Sequence, residues 1–76
     1  MTPYNGHRSW NAWNVSVWIS SDEGLYNLAL DCLRRYRTRG AAARALLREL
    51  GGEGSRTPDG GRYNVTCLRA VLDGLS

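Results

Sequence analysis

Few residues in this 76-residue chain are of types and spacings suited to covalent chemistry. General acid–base catalysis needs a titrating group beside a partner in a pocket. The single histidine, His7, stands near the chain terminus, a poor setting for a catalytic group. A closed metal site needs about four ligands, and one His with two isolated cysteines, Cys32 and Cys67, does not supply them. Both cysteines fall on predicted inward helix faces, which favours packing over nucleophilic use. They are expected as reduced, buried thiols; whether a single bridge joins them is not decided by the sequence. Asp22-Glu23 has the look of a cation-binding pair, but helix capping accounts for both acids. The glycines at 51–54 and 60–61 lack the Lys-Ser/Thr and the strand–helix setting of a phosphate loop. The expectation is a protein with no catalytic residue, no cofactor and no metal.

Arginine is the residue type that rises above this background. All ten cations are Arg and the net charge is +3, with a pI of about 9.3. Six of them, Arg34, Arg35, Arg37, Arg39, Arg44 and Arg48, lie between Cys32 and Arg48, a stretch with no acid and a charge of +6. The remainder carries four Arg against seven Asp and Glu, or −3. One strongly positive region on an otherwise acidic chain is therefore expected. The guanidinium fork binds phosphate and carboxylate alike, so the six Arg are candidate partner-binding residues for nucleic acid or for an acidic protein surface. The competing reading is a solvated face with cations favourably placed at a helix C-terminus.

Four helices are predicted to position these groups. Ser9 can cap a first helix over 10–19, where Trp10, Trp13, Asn14, Val17 and Trp18 recur at helical spacing. The alternation Trp13, Val15, Val17, Ile19 would equally suit a strand. Helix is preferred because Ser20-Ser21-Asp22-Glu23 starts a second helix directly, with no hairpin turn between. That helix is expected over 22–38, with Leu25, Leu28, Ala29, Cys32, Leu33 and Tyr36 inward and Gly40 as its stop. A third, over 41–50, turns Ala43, Leu46, Leu47 and Leu50 inward and Arg44 and Arg48 outward. Residues 51–62 form a loop by every local signal, long enough to be mobile or functional. Asn64 then caps a fourth helix over 64–75 with Val65, Leu68, Val71, Leu72 and Leu75 in one stripe. Arg69 and Asp73 are expected to pair outside it at i, i+4.

A chain this short forms one domain and removes only roughly 60% of its unfolded surface from water. Trp10, Trp13 and Trp18 are therefore expected to anchor much of the core, with one of the three left at the edge as an interface anchor. No stretch approaches the ~20 apolar residues of a membrane span, and the N-terminus has no signal-peptide pattern. A cytoplasmic, monomeric or weakly dimeric protein is the expectation. The sequons Asn14–Ser16 and Asn64–Thr66 carry no weight without export.

The run Tyr4-Asn5-Gly6, Ser9-Trp10-x-x-Trp13-Asn14-Val15-x-Val17-Trp18-Ile19 and Asp22-Glu23-Gly24-Leu25-Tyr26 resembles a motif of small uncharacterised proteins of phages and mobile elements. The likeness covers the first third of the chain and fades beyond Leu30, so it does not reach the Arg cluster. Some small phage proteins of this kind are anti-CRISPRs or other counter-defence factors. In size, Arg content and simplicity this chain is similar to inhibitors of type I CRISPR complexes. What the resemblance implies is a stoichiometric inhibitor that binds a host protein or ribonucleoprotein, such as a CRISPR effector, and blocks target DNA. The alternative is a small Arg-rich regulator that binds DNA or RNA. The fold expected is all-α, or α+β should residues 10–19 form a strand.

Overall fold

A computed structural model describes residues 9–75. The order is α1 Trp10–Ser21, α2 Glu23–Arg35, α3 Arg39–Glu49 and α4 Val65–Leu75. The described residues form an all-α domain of four helices. Residues 10–19 are helical, so the α+β alternative does not hold. Asp22 explains why: its backbone N–H closes α1 on the Trp18 carbonyl while its carboxylate accepts the Leu25 N–H at 3.0 Å to open α2. One residue thus serves as C-cap of α1 and N-cap of α2, so the two helices follow one another with no residue between them but Asp22. Ser9 caps α1 through the Ala12 N–H, and Asn64 accepts the Cys67 N–H at the start of α4.

The second helix is shorter than the sequence suggests. It ends at Arg35, and Gly40 lies inside α3 rather than stopping α2. The cause is Thr38, whose extended backbone and Oγ1, accepting the Ala41 N–H at 3.1 Å, start a new helix after a three-residue connection. Tyr36, cast into extended backbone by this break, is exposed rather than inward. The stop of α3 is glycine chemistry. Gly51, at φ 114°, lets its N–H reach Arg48 and the Gly52 N–H reach Leu47, the paired bonds that close a helix end.

The core is aliphatic. Val15 and Ile19 of α1, Ala29 and Cys32 of α2, Leu46 of α3 and Leu68 and Leu72 of α4 are essentially inaccessible, and Ala42, Ala43 and Ala45 let α3 approach its neighbours closely. Close backbone approaches link α1 to α2, α2 to α3, α3 to α4, α4 back to α1 and, less extensively, α2 to α4, whereas α1 and α3 have none. These two helices therefore lie on opposite sides of the bundle. The tryptophans do not anchor its centre. At 3.6 residues per turn, Trp10, Trp13 and Val17 project from α1 opposite Val15. Trp10 is 41% exposed, and Trp13 and Trp18 are half-buried.

Residues 51–64 do not hang free. Thr57 and Gly61 bond N–H to carbonyl at 2.7 Å, the Tyr63 N–H reaches the Ser55 carbonyl at 3.0 Å, and Arg56 faces Arg62 in an antiparallel bridge. Pro58-Asp59-Gly60, with Gly60 at φ 92°, makes a three-residue hairpin loop, and Gly60 donates to the Thr57 carbonyl. One flank of α1 then grips this hairpin. The Asn11 amide bonds both backbone groups of Arg62, accepting the N–H at 2.6 Å and donating to the carbonyl at 2.9 Å. The Asn14 amide, 2% exposed, accepts from the Thr57 hydroxyl and donates to Asp59. Trp18 donates its indole N–H to the same Asp59 oxygen. Spacings of three and four residues put all three side chains on one side of the helix.

Candidate macromolecular interface

The six arginines singled out in the sequence are all exposed, and the fold brings them to one segment. Arg34 and Arg35 occupy the last turn of α2, Arg37 the three-residue connection, Arg39 the first position of α3, and Arg44 and Arg48 its outer face one turn apart. The aliphatic pattern of α3 dictates that last placement: Ala42, Ala43, Ala45, Leu46 and Leu47 claim the inward side, which leaves Arg44 and Arg48 beside Gly40 and Ala41. A side chain built on Gly40 would meet nothing within 4 Å. The first turn of α3 thus offers a shallow surface edged by cations.

Two of the six are already paired. Arg35 meets Asp31 at 3.6 Å along α2. Arg39 meets Asp73 at 3.1 Å, tying the start of α3 to the end of α4. This replaces the expected Arg69–Asp73 pair, for an electrostatic reason. A cation at the N-terminus of α3 and an anion in the last turn of α4 each oppose their own helix dipole, and pairing them offsets both. Both partners are about half exposed, so solvent screening keeps the contribution small. Arg34, Arg37, Arg44 and Arg48 have no carboxylate within ion-pair distance among the described residues.

The residues considered for chemistry are placed as follows. Both cysteines are free; Cys32 is buried in the core, and Cys67 is half-buried with its sulfur 3.5 Å from the Asn11 amide. Burial, with Asp31 and Glu49 adding to it, pushes the Cys32 thiol up, away from the reactive thiolate. The Asp22 carboxylate caps α2. His7 lies outside the described residues. Among the described residues no group of three or more His, Cys, Asp or Glu is gathered as for a metal ion, and no helix is long and apolar enough to cross a membrane.

The sequence reading missed the Asn11–Asn14–Trp18 grip on the hairpin. Its signal was a pair of asparagines, Asn11 and Asn14, in a helix otherwise of apolar residues and serines, matched by Thr57 and Asp59 in a distant loop. The motif Trp13-Asn14-Val15-x-x-Trp18 is thus engaged in holding the hairpin through Asn14 and Trp18. The Arg44 and Arg48 positions lie on α3, which has no close backbone approach to α1.

Over residues 1–73 the chain matches a family described as a family of unknown function (DUF7249). The matched stretch includes the whole Arg segment as well as the α1 motif. No curated protein and no solved structure matches the chain.

Proposed function

This chain belongs to the family DUF7249, and we propose that it is a non-enzymatic binding protein whose Arg34–Arg48 surface engages the phosphates of a nucleic acid. One observation carries the reading. Two helices joined by the three residues Tyr36-Arg37-Thr38 present a second helix whose open face carries Arg44 and Arg48, with four more Arg at the connection. That length of connection is the one used by helix-turn-helix units, whose second helix approaches the duplex; the parallel is an analogy of form. Four Arg with no carboxylate within ion-pair distance among the described residues favour the reading further, since open guanidinium forks are what phosphates require.

A second reading keeps the same surface and changes the partner. The phage-type motif of α1 supports a counter-defence role, in which a host ribonucleoprotein such as a CRISPR effector is captured through an acidic protein patch. A pull-down with and without nuclease, together with binding to naked duplex DNA, separates the two. In the nucleic-acid reading, naked DNA binds, nuclease removes captured material, and reversing Arg34, Arg37 and Arg44 to Glu abolishes both. Capture that survives nuclease, with no binding to naked DNA or RNA, supports the protein partner.

A further inference from the structure

The geometry points to a second, separate anion site, built on the hairpin from Arg56 and Arg62, that accepts a phosphoryl group. Its Arg62 backbone is held by Asn11 of α1, and the site does not depend on the function proposed for the α3 surface.

The bonds that frame the bridge define the pair. Because the backbone bonds run between Ser55 and Tyr63 and between Thr57 and Gly61, Arg56 and Arg62 form the non-hydrogen-bonded pair between them. Side chains are closest at such a pair, with Cα atoms typically about 4.5 Å apart, and both project from the same face of the ribbon. The neighbours that alternate with them, Thr57, Gly61 and Tyr63, are buried. Arg56 and Arg62 are therefore held together on the outer face, both exposed. The two-point bond from the Asn11 amide fixes the Arg62 backbone.

Like charges directly opposite on a ribbon destabilise it. Neither Arg has a carboxylate within ion-pair distance among the described residues. Both line one open cavity of about 440 Å³, together with Glu53, Gly54, Tyr63 and the cap residue Asn64. A phosphoryl group between the two forks would turn their repulsion into two charge-assisted contacts. Glu53, at the rim of the same cavity, opposes an anion and so sets the affinity from the other direction. The chemistry is the same for free phosphate and for a phosphate on a nucleic-acid strand.

The test is an amide and guanidinium NMR titration of the whole protein with inorganic phosphate, repeated with a short single-stranded oligonucleotide. Phosphate is expected to shift the Arg56 and Arg62 Nε–H signals saturably. R56Q with R62Q should raise Kd about tenfold or more, E53Q should lower it, and R44Q with R48Q should leave it unchanged. Read at the Arg56 and Arg62 Nε–H signals in the R44Q/R48Q background, affinity for the oligonucleotide well above that for phosphate identifies a strand as the source; equal affinities identify the free ion. Unchanged amide spectra elsewhere, expected because both side chains are exposed, show that the double variant folds. The proposal is overturned if phosphate causes no saturable shift, if R56Q with R62Q binds as well as the parent, or if E53Q does not tighten binding.

Discussion

Trp18 donates its indole N–H to the Asp59 carboxylate at 2.9 Å, joining residues 41 positions apart. Asn14 donates to the same oxygen at 3.1 Å. These two bonds, Trp18 first, lower the Asp59 pKa. A depressed acid contributes stability above its unfolded-state value and loses it as pH falls through the folded value. The docked hairpin should therefore loosen only below about pH 4, the ordinary range of Asp. Trp fluorescence as a function of pH checks this: an acid transition is expected in the parent chain and not in D59N, which should resemble the acid form at neutral pH.

Asn14 is buried and bonds Thr57 on the first arm of the hairpin and Asp59 in its loop. Replacing it by Ala leaves the Thr57 hydroxyl without its acceptor and Asp59 with one donor fewer. Lost buried hydrogen bonds of this kind cost about 1–3 kcal/mol. Urea unfolding of N14A should show a midpoint lowered accordingly, whereas an equally conservative change at exposed Ser20 should not.

Two glycines should respond to Ala in opposite directions. A Cβ on Gly61 would come within 2.5 Å of the Asn14 amide oxygen and 3.1 Å of the Thr57 hydroxyl. G61A should therefore be destabilised by about 1–3 kcal/mol, as overpacked sites are. Gly40 sits in α3 with open space around it, so G40A should gain up to about 1 kcal/mol in helix propensity. Thermal denaturation of the two variants beside the parent measures both signs.

The cysteines predict an order of reactivity. Cys67 is half-buried and Cys32 buried, with its thiol pKa raised by burial. Under native conditions an alkylating reagent should modify Cys67 first, and Cys32 only at the rate of unfolding. Reducing agent should leave Tm unchanged, since neither sulfur is bridged. Mass spectrometry of a labelling time course gives the result directly.

Much of this architecture is written in local sequence, and the exceptions have physical causes. Apolar spacing and caps place α1, α3 and α4, because Ser9, the Ala-Leu run of α3 and Asn64 act on their own neighbours. The end of α2 was obscured because Arg35, Tyr36 and Arg37 suit a continuing helix, while Thr38, a weak helix former, works as a cap. The Trp side chains mislead because their size suggests core, whereas the i, i+4 geometry of Val15 and Ile19 decides which face of α1 turns inward. The exposed Arg segment was legible from composition alone. The hairpin grip and the Arg56–Arg62 pair were not, because each depends on residues brought together by the fold across more than forty positions or by a hairpin register.

The salt dependence of nucleic-acid binding tests the central claim most directly. On the Arg34–Arg48 surface four guanidinium groups, those of Arg34, Arg37, Arg44 and Arg48, have no carboxylate within ion-pair distance among the described residues. If all four neutralise phosphates, affinity for a duplex followed by fluorescence anisotropy should fall with a log–log slope of about −3.6, at roughly −0.9 per phosphate. R44Q with R48Q should weaken binding at every sequence tested and reduce that slope by about half. Duplex and single-stranded binding that is absent at low salt, or a slope the double variant leaves unchanged, would contradict the account.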